Sequence, residues 1–363
     1  MEKHYLFFCS HGYAIPILRP LQAEIERQGG KVAWMLERTC PDSQLTAADR
    51  RVQTVKQARQ WNPIAVFAPG DWIYHFLPGV KVRVCHGYPI YKRGGTEETH
   101  FKIRGWFDIY CSTGPSSTPV FKALEEKDGS FCTYETGWAK ADSIVRAREQ
   151  ADRHPRADRR PSIFVATTFT SYVTQLRTLL PTIRHLVDTR DWQWKITMHP
   201  KLDDADLKQQ LTELARTHSN VEFYPVTPEP DVMAQTDVML CDASSITVEY
   251  MMLDRPVVTF RNTRPGAHLL NVTELDAVES ALETALQRPE SLMTAMRQYV
   301  AQHEAHLDGH NCERILQAVD DFIEHRRATL RRKPLNLFRH LKIRWRYWLS
   351  LFHTFFGIFD RKY

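Results

Sequence analysis

Cys241-Asp242-Ala243-Ser244-Ser245-Ile246-Thr247-Val248-Glu249-Tyr250 lies between two short apolar runs, Val238-Met239-Leu240 and Pro256-Val257-Val258-Thr259-Phe260. Runs of this length, rich in branched residues, read as buried strands. The stretch between them reads as a turn followed by a helix over 246–253. Asp or Ser at a helix start accepts a bond from a free backbone N–H. The remaining N–H groups and the positive end of the helix dipole then face open space, an arrangement that holds a phosphate. Ser244 and Ser245 add hydroxyl donors, and Glu249 lies one turn further in. An ordinary capped helix in an α/β protein is the alternative reading of the same residues.

The same rhythm runs outward in both directions. Residues 5–9, 31–36, 64–68, 81–85 and 107–111 read as strands, with helices over 17–28 and 50–60. After a charged, Pro-containing stretch over 146–161, read as a surface linker, it restarts. Strands over 162–166, 193–198 and 221–224 alternate with helices over 172–188 and 203–217, and further helices cover 275–287, 289–306 and 311–327. Alternation of this kind implies βαβ units and parallel sheets. The expected architecture is α/β, with two Rossmann-like, doubly wound domains over 1–150 and 151–327 and a basic aromatic tail over 328–363. The helix over 311–327 is expected to close the second domain. Ligands of such sheets bind beyond the carboxyl ends of the strands, and a cleft between two such domains collects those ends.

Composition narrows the class. The 363 residues are 43% hydrophobic and 25% charged, values of a soluble globular protein. The net charge of +5 is concentrated after Glu324. Seven cysteines without a Cys-x-x-Cys pair suit small buried hydrophobes in a reducing compartment. Met1-Glu2-Lys3-His4 leads straight into an apolar strand without the features of a signal peptide. No apolar run reaches the roughly 20 residues that span a bilayer. A cytoplasmic protein, peripheral on the inner face of the membrane, is the expectation. The tail carries it: Arg331-Arg332-Lys333, then Leu337-Phe338-Arg339-His340-Leu341-Lys342-Ile343-Arg344-Trp345-Arg346-Tyr347-Trp348. Cations interleaved with aromatics suit an interfacial helix on an anionic membrane surface. A helix packing back on the first domain is the alternative. Nucleic acid is disfavoured as a partner, because the charge is confined to the tail.

Loop position then selects residues. His11, His86, His199 and the Asp242–Ser245 turn all follow strands. A histidine at a strand end suits a general base near neutral pH, and Gly87 beside His86 permits close backbone approach. Lys92 and Arg93 in the next loop suit an anionic substrate, as does His199-Pro200-Lys201. Thr168, in a hydroxyl-rich opening to a helix, reads as a nucleotide contact or simply a cap. Each histidine also reads as an ordinary loop residue, one of 16. No metal-ligand cluster, phosphate-binding Gly-x-x-x-x-Gly-Lys-Ser/Thr or nucleophile-elbow Gly-x-Ser-x-Gly is present, so neither metal nor cofactor is expected.

In this order the motifs resemble the CDP-glycerol glycerophosphotransferase family of teichoic-acid-type polymer synthesis. The family's His-Gly-x-Pro-x-Lys-x-x-Gly is similar to His86-Gly87-Tyr88-Pro89-Ile90-Tyr91-Lys92-Arg93-Gly94, and its strand-ending His-Pro to His199-Pro200. Its Asp-Tyr-Ser-Ser block with an acidic–aromatic pair and a proline is matched by Asp242-Ala243-Ser244-Ser245, Glu249-Tyr250 and Pro256. Its closing Asp-Gly-x-x-Ser-x-Arg resembles Asp308-Gly309-His310-Asn311-Cys312-Glu313-Arg314. Tyr91 stands at the family's lysine position, Ala243 at its tyrosine and Cys312 at its serine. These departures bear on the donor and acceptor more than on the fold.

The resemblance implies the GT-B architecture of two facing Rossmann-like domains. It implies a transferase that moves a polyol phosphate, glycerol phosphate first, from a CDP-activated donor to a lipid-linked glycan, releasing CMP. His86 would be the base and His199 would stabilise charge on the diphosphate. Asp242, Ser244, Ser245, Glu249 and Thr168 would serve the donor. His11, Gly87, Lys92 and Arg93 would serve the acceptor or its phosphates. A GT-B glycosyltransferase using a nucleotide sugar and a non-catalytic GT-B scaffold at the membrane are the alternatives.

Overall fold

A computed structural model of the chain describes residues 2–38, 40–88, 101–170, 173–199, 201–333 and 335–356, with side chains of the last helix described to 348. The chain forms two compact units, Met1–Gly87 with Glu97–Asp142 and Glu304–Tyr363, and Tyr88–Thr96 with Ser143–His303.

In the first unit β1 (His4–Cys9), β2 (Lys31–Leu36), β3 (Ala65–Ala68), β4 (Val80–Arg83), β5 (Ile109–Ser112) and β6 (Cys132–Glu135) form one sheet in the order β2-β1-β3-β4-β5-β6. Every described pairing is parallel, with Leu6 opposite Ala33 and Val66. Parallel strands are covered on both faces, which is why they read as continuous apolar runs rather than alternating ones. Helices α1 (Ala14–Arg27), α2 (Val55–Trp61) and α3 (Thr118–Asp128) connect them.

The second unit repeats the plan. Its strands β7 (Ser162–Ala166), β8 (Gln193–Thr197), β9 (Val221–Tyr224), β10 (Val238–Cys241), β11 (Val257–Phe260) and β12 (Leu270–Val272) run parallel in the order β12-β11-β10-β7-β8-β9. Helices α4 (Ala141–Arg153), α5 (Leu176–Thr189), α6 (Ala205–Thr217), α7 (Pro230–Ala234), α8 (Ile246–Met251), α9 (Ala277–Leu286) and α10 (Glu290–His303) accompany them. Leu179, Leu180, Ile183 and Leu186 of α5 enter one core with Ile163, Val165, Val238 and Leu240 of the sheet.

Three sequence expectations change. The expected linker over 146–161 is helical in its first half: Ile144, Ala147 and Ala151 are buried at helical spacing, so α4 continues to Arg153 and its charges occupy the other face. The helix α11 (Asn311–Asp321) belongs to the first unit, not the second. Asp142 accepts the backbone N–H groups of Asn311 and Cys312 at 2.9 and 2.8 Å, and the Asn311 amide donates to the Trp138 carbonyl at 3.1 Å. Gly137, with φ +75°, admits this contact, since a Cβ there would lie 2.4 Å from Asn311 Cγ. Arg314 binds both oxygens of Asp308 from the next turn. The Asp308–Arg314 motif is therefore a fastener within the first unit.

The tail is the third. α12 (Leu337–Phe356) packs on the first unit: Ile343 is buried, Tyr347 Oη accepts the Val55 N–H at 3.0 Å, and His340 stacks on His75 at 4.1 Å. The opposite face stays open. Phe338, Leu341, Trp345 and Trp348 are 89, 63, 62 and 55% exposed. Their spacing of three, four and three residues places them in one stripe. Among the described residues no helix is long and apolar enough to cross a membrane.

Candidate active site

Each sheet reverses its strand order once, and loops leaving the strands beside that point are where folds of this kind bind ligands. In the first sheet the reversal lies between β1 and β3. The β1 loop supplies Ser10, His11 and Tyr13, the β3 loop Pro69-Gly70-Asp71, and adjacent β4 runs out into Cys85-His86-Gly87.

His86 is exposed, with its Nδ1 3.1 Å from the Pro69 carbonyl. A carbonyl only accepts, so Nδ1 carries the proton and the neutral ring presents its lone pair at Nε2. The Trp138 indole N–H donates to the Cys85 carbonyl at 2.8 Å, fixing the backbone just before the ring. Gly87 has φ +149°, and a Cβ there would meet nothing within 4 Å. Tyr13 lies 5.8 Å from the His86 ring and stacks at 5.5 Å on His11. Ser10 Oγ and His11 Nδ1 are 3.0 Å apart. His11, Gly87 and His86 thus fall in one strand-end cluster, whereas Lys92 and Arg93 lie outside the described residues.

Asp71 belongs to this cluster although its sequence context marked only a strand end. Its carboxylate is 3.0 Å from Arg83 and 3.2 Å from Arg104. Burial raises the carboxyl's pKa, but Arg83, His86 and Arg104 together hold it below the ordinary value. A fixed negative charge therefore acts on His86. The available signal was an acidic residue after Pro-Gly on a strand next to the reversal.

In the second sheet the reversal lies between β7 and β10, where Ala166 stands opposite Cys241. Asp242 is fully buried, and its carboxylate accepts the Thr168 N–H at 2.9 and 3.0 Å and the Gln175 N–H at 3.3 Å. Its own carbonyl accepts the Asn262 amide at 2.9 Å. Asp242 is thus a tie between the loops after β7, β10 and β11, not a helix cap. Thr168 is buried with it, and α5 begins only at Leu176, so Thr168 is no cap either.

Ser245 precedes α8 in helical conformation, with no side-chain cap bond. A capping residue needs extended backbone for its oxygen to reach the N–H groups one turn on. Here the Ser244 carbonyl accepts from Thr247 and the Ser245 carbonyl from Val248. Among the described residues neither serine hydroxyl has a hydrogen-bond partner, which differs from the expected cap. Glu249 is half-buried one turn further.

His199, after β8, has the reverse proton arrangement to His86. Its Nδ1 accepts the Lys201 backbone N–H at 3.0 Å, so the neutral ring carries its proton on Nε2. Phe169, from the β7 loop, contacts it at 4.5 Å, and Lys201 Nζ lies 5.6 Å from the Phe169 ring. Phe169 and Asn262 were not foreseen; each acts through contacts between loops distant in sequence. Among the described residues no cluster of three or more His, Cys, Asp or Glu is placed to hold a metal ion.

Two parallel six-stranded sheets, each with candidate residues at strand ends at or next to its reversal, form a GT-B-like fold. Solved structures share it. The wall teichoic acid polymerase TagF matches with a TM-score of 0.61 at 14% identity, over 89% of this chain and 90% of that one. A putative UDP-N-acetylglucosamine 2-epimerase from Listeria monocytogenes matches with a TM-score of 0.59 at 15% identity, over 89% of this chain and 97% of that one. A Neisseria meningitidis UDP-GlcNAc 2-epimerase bound to UDP-GlcNAc matches at 0.58 and 13% identity, over 87% and 99%. No curated protein matches the chain in sequence. The family model of CDP-glycerol:poly(glycerophosphate) glycerophosphotransferases matches residues 82–320, and the chain belongs to that family. It is a glycerophosphotransferase-like enzyme.

Proposed function

We propose that the chain transfers glycerol phosphate from CDP-glycerol to a hydroxyl of a lipid-linked glycan at the inner face of the membrane. The acceptor oxygen attacks the β-phosphorus. A new P–O bond forms, the bond from that phosphorus to the bridging oxygen breaks, and CMP leaves with the electron pair. The acceptor proton passes to His86 Nε2. His199 Nε2–H donates to the diphosphate oxygens as charge moves onto the leaving phosphate. Ser244 and Ser245 hold the phosphates, and Glu249 serves a ribose or glycerol hydroxyl. The observation that carries this reading is the opposite proton placement on His86 and His199, fixed by Pro69 and Lys201, which yields one base and one donor.

The test is nucleotide release by the purified chain with a membrane acceptor fraction, offering CDP-glycerol, CDP-ribitol and UDP-sugars in parallel. CMP from CDP-glycerol, lost in His86→Ala, supports the reading. Release only from a UDP-sugar overturns it in favour of a glycosyltransferase.

The open stripe of α12, on a helix whose first turns carry Arg339 and Lys342, supports contact with an anionic bilayer. Trp345→Ser with Phe338→Ser is expected to release the protein from vesicles containing phosphatidylglycerol while leaving the fold intact. Unchanged co-sedimentation would remove the membrane part of the proposal.

A further inference from the structure

We propose that the second unit carries another ligand site, an arginine-lined cavity that binds a phosphorylated, non-aromatic small molecule, at the end of the sheet opposite the Thr168–Asp242 tie. Asp237 and Pro161 line it, and they directly precede β10 and β7, whereas Asp242 and Thr168 follow those strands. The cavity measures about 490 Å³, within the range of small-molecule sites. Arg156, Arg159, Arg255 and Arg288 line it.

The neighbouring acidic residues leave two of these cations, Arg159 and Arg255, without a close ion pair. Asp158 is held by Arg160, which stands outside the wall; Asp237 pairs with Arg156 and accepts the Ser162 N–H, and Arg288 lies 3.0 Å from Asp254. Asp152 comes no closer than 4.0 Å to Arg255. Arg255 keeps only 18% of its side chain exposed, yet its guanidinium makes one hydrogen bond, to the Ala234 carbonyl at 3.1 Å, and its buried Nε has none. Arg159 is exposed and without a partner among the described residues. A largely desolvated cation with so little compensation favours an anion beside it.

The chemistry of the wall selects the anion. Guanidinium forks match phosphate and carboxylate oxygens. A phosphomonoester brings about two negative charges and three acceptor oxygens, enough for several forks at once. The apolar part of the wall is Ala151, Pro155, Pro161, Ala234 and Leu286, with no aromatic ring for a nucleobase to stack on. The inference is independent of the reaction proposed above.

The probe is inorganic pyrophosphate at millimolar concentration against the full chain, at constant ionic strength. Arginine modification by phenylglyoxal is read peptide by peptide. Pyrophosphate is expected to lower labelling of Arg159 and Arg288 about tenfold, and to leave Arg153, exposed on α4 and outside the cavity, unchanged. Equal labelling with and without pyrophosphate, or equal protection of Arg153, overturns the site. Arg159→Glu, a change at a partnerless surface residue, is expected to abolish protection of Arg288; persistence of protection in that variant also overturns it. The Ser244→Ala, Ser245→Ala chain should keep the protection, and its loss there would assign pyrophosphate to the donor loops instead.

Discussion

His86 and His199 both follow a parallel strand, and both are tethered through Nδ1, but by opposite partners. Pro69 offers His86 a carbonyl, and Lys201 offers His199 an N–H. The first tether makes Nε2 an acceptor and the second makes it a donor. The loops differ in the same sense. His86 sits beside an open glycine and an ionised Asp71, whereas His199 lies against Phe169 in a region knitted together by Asp242. Identical side chains at strand ends in two copies of one fold acquire different chemistry from the backbone group that each Nδ1 meets.

Glutamine tests that difference most severely. Its amide places a donor near the Nε2 position but cannot take up a proton. His86→Ala and His86→Gln should both lose about 10²–10⁴-fold in turnover. His199→Ala should lose about 10²–10³-fold, with His199→Gln recovering at least tenfold of that loss. Equal recovery by glutamine at both positions would erase the assigned roles.

The next effect separates the tie from the hydroxyls beside it. Asp242→Ala leaves the buried Thr168 N–H and the half-buried Gln175 N–H unpaired, and should cost about 3 kcal/mol in chemical denaturation. Ser244→Ala with Ser245→Ala should change stability by less than about 0.5 kcal/mol, since neither hydroxyl caps α8. The same pair should raise KM for the donor about tenfold, a loss of about 1.4 kcal/mol of binding. A large stability loss in the serine pair would return those residues to a capping role.

The smallest effect concerns a histidine used only for packing. His75 is pushed down to about 4 by burial first, then by His340, Arg344 and Lys81. Its folded pKa is depressed below the unfolded value of about 6.5, so the unfolded chain binds the proton first. Stability should be at its full value above pH 6.5 and fall as the pH drops toward 4. His75→Phe, which keeps a ring against His340, should flatten that slope in thermal melts between pH 7 and pH 5. An unchanged slope would place the titration elsewhere.

Much of this was legible from residues alone. Strands β1, β3, β7, β10 and β11 stood out because buried parallel strands are apolar without interruption. The strand-end positions of His86, His199 and the Asp242 turn followed directly. What escaped was set by contacts between distant segments. The charged half of α4 hides a narrow apolar face of Ile144, Ala147 and Ala151. Asp242 has the composition of a cap, but its carboxylate turns toward Thr168, more than seventy residues away. Asp71 gains its meaning only beside Arg83, Arg104 and His86. Local propensity cannot report a partner that the sheet order supplies.

The Asp142–Asn311 fastener has a consequence for synthesis. A ribosome that has passed Asp142 has made every strand of the first sheet, yet the N–H groups that satisfy its buried carboxylate come from Asn311 and Cys312. Every strand of the second sheet emerges in between. The half begun first is therefore completed last, and a nascent chain stopped at His303 holds a finished second sheet and a first unit still lacking its closing helix.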